Sequence, residues 1–349
     1  MKTAIMILAV VAALQLVAAV ALQLDSPQLA TSSPQQNLLN FETGQVDSLS
    51  IRSSEAAVVL KRNGSGAQAA WLTQDGFPVD HAKLTQLLET LQGLKSGLAV
   101  ATTDDAAGRF KVADDEFERH VELQQDGKTL ADFYIGSGAG ARRSHLRLAG
   151  SPAIYSVNVG SYDVPATAAD WQDKAVLQLK ADSLKTLQLG ELQLQRDEAW
   201  TATAGLPAGR LLNPKAVDEA LAPLLSLRFA EVLGKDEQAS YGLEQPVLQL
   251  SLTYQDGKRT YRFGRLQPEQ DQQAAAAAPS EDYVLKVSDR PEYFKLAGYA
   301  VQPLLDKLTV EGLLMAEQKA ADAEPETQSE PIVEQADELP ASTVEEGGD

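Results

Sequence analysis

Cysteine is absent from the 349 residues. Disulfides, thiolate catalysis and Cys-ligated zinc are therefore excluded. Histidine is almost as scarce, with only His81, His120 and His145, which thins the routes to His-based catalysis or metal binding. Bases are in deficit: 30 Lys and Arg against 49 Asp and Glu give a formal net charge of −19. That balance argues against a nucleic-acid partner, which needs clustered Lys and Arg. It argues equally against docking on an anionic lipid surface. What is present suffices for a folded core, since 44% of the residues are apolar, and the length suggests about two domains.

One long apolar run exists. Ala4 to Leu24 has only Gln15 and Gln23 as polar residues. At helical rise it spans roughly 31 Å, enough for a hydrocarbon core. Lys2 precedes it and no base follows until Arg52, so the positive-inside rule places the N-terminus in the cytoplasm and the rest outside. The competing reading is a cleaved signal peptide, because Ala19-Val20-Ala21 has a small-x-small pattern. Both readings export residues 25–349. Residues 25–44, polar and containing Pro27 and Pro34, read as a linker.

The remainder repeats itself. Trp71 and Trp200 each follow a β-like segment, 129 residues apart. A helix signal comes after each. Asp80 is an N-cap ahead of Leu84, Leu88 and Leu91; Asn213, followed by Pro214, is an N-cap ahead of Val217, Leu221 and Leu224. These positions share an offset of 133, and Pro223 should bend or shorten the second helix. Gln125-Asp126-Gly127-Lys128 recurs as Gln255-Asp256-Gly257-Lys258, each reading as a tight hairpin whose second strand ends in glycine, Gly136 or Gly264. Phe117, Val121 and Leu123 should face inward, with Arg119 interrupting. The organisation is then a transmembrane anchor or signal peptide over 1–24 and a linker over 25–44. Module one covers 45–179, module two covers 180–310, and an acidic disordered tail covers 311–349. The fold class is α+β: two tandem modules, each with an antiparallel sheet and one main helix, after the N-terminal membrane helix.

This ordered set resembles a bacterial family known only as domain of unknown function 4340. The residues that carry the likeness are the apolar N-terminus, Trp71 and Trp200 before capped helices, and Tyr241-Gly242-Leu243-Glu244-Gln245-Pro246. Gly264 and the strand Tyr283 to Val287 follow in the expected order. The likeness covers about residues 1 to 310. Module one departs from the pattern, with Phe110-Lys111-Val112 where Tyr-Gly-Leu is expected and no proline after it. The resemblance implies a membrane-anchored envelope protein, similar in context to auxiliary components of gliding-motility-type ABC transporters.

No constellation outweighs its structural explanation. Gly136-Ser137-Gly138-Ala139-Gly140 lacks the following helix that a phosphate-cradling loop requires, although Arg142 and Arg143 offer a small basic spot. Asp104-Asp105 and Asp114-Asp115-Glu116 lack calcium-loop spacing. The histidines have no triad partner in recognisable order, and His120 falls on the polar face of its strand. Trp71 and Trp200 are expected as core anchors rather than sugar platforms, and Tyr241, Gly242, Leu243 and Pro246 as turn-shaping residues. No catalytic residue, metal or cofactor is expected. The expected function is a non-catalytic accessory subunit of an ABC-type transport or motility complex, single-pass in the bacterial inner membrane with its modules in the periplasm. The alternative is a periplasmic binding module for a glycan, peptide or lipid.

Overall fold

The structure, a computed structural model, describes residues 36–64, 69–267 and 282–316. The expected anchor over 1–24, most of the acidic tail and an alanine-rich run at 270–279 lie outside the described residues. Among the described residues no helix is long and apolar enough to cross a membrane. The chain divides into two compact units between Leu177 and Gln178.

The N-terminal unit is built on one antiparallel sheet. Its strands are β1 (Ser48–Arg52), β2 (Ala57–Asn63), β3 (Ala70–Leu72), β4 (Arg119–Gln125), β5 (Lys128–Gly138), β6 (Ser144–Leu148) and β7 (Ile154–Val157), in the spatial order β3-β2-β1-β4-β5-β6-β7. Alternation explains its faces: Leu49 and Ile51 of β1 and Val121 and Leu123 of β4 are fully buried, while their neighbours point the other way. Helix α1 (His81–Gln92) joins β3 to the centre of the sheet. Asp80 caps it by accepting from the Lys83 amide, and Leu84, Leu87, Leu88 and Leu91 join the core of Leu49, Ile51 and Phe133. A shorter helix, α2 (Asp104–Arg109), and the turn after it cover part of the opposite face, where Ala106, Ala107 and Val112 meet Tyr134 and Ile154.

The C-terminal unit repeats this plan. Its elements in order are β8 (Leu184–Leu189), β9 (Leu192–Arg196), β10 (Trp200–Ala204), β11 (Arg210–Leu212), α3 (Pro214–Leu225), β12 (Glu231–Gly234), β13 (Leu248–Tyr254), β14 (Gly257–Arg265), β15 (Tyr283–Val287), β16 (Tyr293–Leu296), α4 (Gly298–Lys307) and β17 (Leu314–Ala316). The sheet order is β10-β9-β8-β13-β14-β15-β16, which is the N-terminal order again, with β12 added at the edge beside β16. Asn213 caps α3 by accepting from the Ala216 amide, with Pro214 at the first helical position. The molecule is thus predominantly antiparallel sheet with few helices.

Several expectations need correction. The linker ends before residue 44: Leu38, Leu39 and Phe41 are buried in the N-terminal core, and the Leu38 amide donates to the Leu94 carbonyl. The tail begins after residue 311: Leu313 is fully buried, and β17 pairs with β11. Pro223 does not shorten α3, which has the same 12 residues as α1, because it falls in the last turn where few backbone bonds follow. The two Asp-Gly hairpins differ by one residue. Asp126-Gly127 form the first turn with positive φ at both positions, whereas Gln255-Asp256 form the second and Gly257 is already paired with Tyr254. Gly136 does not end its strand, which runs on to Gly138. Phe117 precedes β4 and joins the cluster of Val112 and Tyr134, not the main core, and Arg119 donates to the Val164 carbonyl.

Candidate functional site

The residues singled out by the repeat assemble into two devices, each present once per unit. The first is a tryptophan opposite an arginine. Trp71 on β3 pairs across to Arg62 on β2, and Trp200 on β10 pairs across to Arg196 on β9. Each guanidinium lies over the indole of its partner, at 5.9 Å and 5.4 Å from the ring centre. Each also donates to backbone carbonyls ahead of the first strand, Arg62 to Gly44 and Val46, and Arg196 to Ala181. The pair therefore pins the approach to the sheet. The second copy adds a carboxylate: Asp218 of α3 accepts from the Trp200 indole at 2.9 Å and forms an ion pair with Arg196 at 3.3 Å. Trp71 and Trp200 are buried, so neither is available to stack on a ligand.

The second device is a backbone crossing. Tyr241-Gly242-Leu243 passes directly over Gly264 of β14, and Phe110-Lys111-Val112 passes directly over Gly136 of β5. A Cβ on either glycine would sit less than 3.0 Å from the crossing backbone, so only glycine fits. Gly242 turns the chain with φ of 65°, and Lys111 does the same work at φ of 56°. Tyr241 and Leu243 are then buried, as is Val112. Pro246 is half-buried in the loop that leads to β13. The crossing is thus common to both modules although only the second keeps the Tyr-Gly-Leu sequence.

Under the N-terminal crossing runs a polar row that sequence reasoning missed. Arg52, His120, Tyr134 and Arg147 are directly opposite one another across β1, β4, β5 and β6. Arg52 bonds to Nδ1 of His120, and Nε2 bonds to Asp132 at 2.5 Å. Guanidinium only donates, so Nδ1 is the acceptor and Nε2 carries the proton given to Asp132. The imidazole stacks on Tyr134 at 4.5 Å, and Arg147 lies over the same ring at 4.8 Å. Arg147 also pairs with Asp114, and this bond holds the Asp114 carboxyl below its ordinary pKa; burial pushes the Tyr134 phenol up. His120 is buried here rather than solvated, with both ring nitrogens engaged inside the sheet. Period-two alternation marked its face, but the partners lie 68, 12 and 14 residues away and follow only from strand order.

In the C-terminal unit Gln249, Arg262 and Lys286 stand where His120, Tyr134 and Arg147 do, and the row continues to Tyr293 on β16. Tyr293 donates to Glu237 at 3.0 Å and sits under the Lys286 ammonium at 4.5 Å. Burial lowers the Lys286 pKa and raises that of Tyr293.

The remaining candidates disperse. His81 opens α1 on the surface. His145 donates from Nδ1 to the Ser137 carbonyl and stacks on Phe110 at 3.9 Å. Gly136 and Gly138 belong to a strand that leads into another strand, not into a helix. Asp104 and Asp105 form the first turn of α2, capped by Thr103. Among the described residues no group of three or more His, Asp or Glu side chains is arranged to hold a metal ion. Arg143 donates to Ser156, while Arg142 is exposed.

A family model described as domain of unknown function (DUF4340) matches residues 71–246, half of the chain. The match opens on Trp71, closes on Pro246 and contains the first crossing and the Tyr-Gly-Leu turn of the second. No curated protein and no solved structure matches the chain.

Proposed function

The chain belongs to the family of domain of unknown function DUF4340, and from that premise we propose that it is a non-catalytic, membrane-anchored envelope protein serving as an accessory subunit of an ABC-type transport or gliding-motility-like complex. The observation that carries this reading is that every motif residue is engaged in its own fold. The tryptophans pin strands, the glycines permit a backbone crossing, and both nitrogens of the one buried histidine are bonded within the sheet. What such residues maintain is the framework of each sheet, which leaves surface loops to fit a partner. The apolar run from Ala4 to Leu24, with Lys2 before it, supplies the anchor and places both modules in the periplasm. Affinity purification of the tagged full chain from mildly solubilised membranes is the test. Transporter permease or ATPase subunits should co-purify, and their absence across several detergents would overturn the reading.

A further inference from the structure

The two units treat the chain leaving the last shared strand differently. In the C-terminal unit it coils at once into α4, which packs on α3. In the N-terminal unit the chain leaving β7 makes only single turns, at Ser161–Asp163 and Ala168–Trp171. A cleft of about 690 Å³ remains between this segment and α1. That volume lies within the range of small-molecule sites.

The α1 wall of the cleft is a helical stripe of Lys83, Gln86, Leu87 and Thr90, spaced to share one face. Asn158, Tyr162 and Asp163 face it, and Arg142 from the loop between β5 and β6 completes the lining. Two cations thus meet one carboxylate in a chain whose net charge is −19, and the Asp163 carboxylate already accepts from the Gly160 amide at 2.8 Å. Lys83 is held in place by its bond to the Asp170 carbonyl at 2.7 Å and by the Trp171 ring at 5.0 Å, which leaves it donors to spare. Arg142 occupies the left-handed region at φ of 55°, a conformation that is strained for a non-glycine residue. Its guanidinium has no hydrogen-bond partner among the described residues, and neither have the side-chain amides of Gln86 and Asn158. Tyr162 projects its ring with 95% of its surface exposed.

We propose that this cleft binds an anionic sugar, a pyranose bearing a carboxylate or a phosphate. The acid group pairs with Arg142 and Lys83, since guanidinium and ammonium are the donors such oxygens take most strongly. The amides of Gln86 and Asn158 both donate and accept, as sugar hydroxyls do. The exposed Tyr162 ring offers an apolar face to the C–H side of the pyranose. The site does not depend on the transport reading, because it lies wholly within one unit and needs no partner protein.

The test is calorimetric titration of the purified full chain in detergent with four probes: glucose 6-phosphate, glucuronate, glucose and inorganic phosphate. At least one of the two anionic sugars should bind with a dissociation constant of about 1 mM or tighter, and about tenfold more tightly than glucose or phosphate alone. Arg142→Ala should weaken that binding about tenfold, and raised salt should weaken it further. Tyr162→Ala should weaken the sugar about fivefold and leave phosphate unchanged. Both side chains are exposed, so melting temperatures should match the parent and separate loss of binding from loss of fold. If glucose 6-phosphate and glucuronate both fail to bind at about 10 mM, or bind equally well to both variants, the proposal is overturned. Phosphate binding as tightly as glucose 6-phosphate would also overturn it, by removing the sugar from the recognition.

Discussion

Lys111 holds a positive φ of 56° at a crossing where its counterpart is Gly242. The left-handed conformation costs a lysine about 1–2 kcal/mol, and glycine gives back part of that as unfolded-chain entropy. Lys111→Gly should therefore stabilise the protein by about 0.5–1 kcal/mol in urea unfolding. Gly264 is the opposite case. Its added Cβ would meet the Tyr241 carbonyl and the Gly242 backbone, which have no side-chain freedom to yield. Gly264→Ala should cost about 3 kcal/mol, a fall in melting temperature of roughly 6–12 °C. Tyr261 reports on pH. Burial pushes its phenol up to about 12, although the Arg259 guanidinium beside it offsets part of that rise. The unfolded phenol ionises near its ordinary pKa of 10.0, so this contribution is full below that pH and is lost as pH rises through the interval to about 12. Among the described residues its buried hydroxyl makes no hydrogen bond of good geometry. Tyr261→Phe should be close to neutral at pH 8 and should remove about 1–1.5 kcal/mol of alkaline destabilisation by pH 11, halfway through that interval, visible when melts at pH 8 and pH 11 are compared. Gly242 was legible as a turn residue, because its type announces the conformation. Lys111 was not, because nothing local distinguishes a strained lysine from a relaxed one.

At the scale of elements, the helices were the most legible part. Asp80 and Asn213 announce α1 and α3 by capping chemistry, and the apolar stripes that follow have a period that only a helix satisfies. Each cap satisfies an amide that would otherwise lack a partner. Asn213→Ala should cost about 1 kcal/mol, a fall of roughly 2–4 °C by differential scanning calorimetry. The hairpins were legible as hairpins but not in detail. The same tetrapeptide gives an Asp-Gly turn in one unit and a Gln-Asp turn in the other, because registers differ by one residue. The polar rows were invisible for a related reason. Arg52, His120, Tyr134 and Arg147 come from four strands, and nothing in any one strand names its neighbours.

At the scale of the whole molecule, the charge proves to be unevenly distributed. Residues 311 to 349 hold twelve acids and one lysine, so −11 of the −19 sits in about a ninth of the chain. The first six of those residues nevertheless belong to the fold, through Leu313 and the pairing of β17 with β11. Truncation after Ala316 should leave the melting temperature unchanged. Truncation after Val310 should cost about 2–4 kcal/mol, because a fully buried leucine and a strand pairing are lost together. Calorimetry on the two truncated chains distinguishes them. The repeat, the capped helices and the antiparallel class followed from residue types and spacings, because capping and amphipathic period act over a few positions of chain. Which strands are neighbours, which side chains meet across them, and where a cleft opens beside α1 followed only from the folded sheet. Those contacts join residues tens of positions apart, and their energies arise only when the strands are side by side.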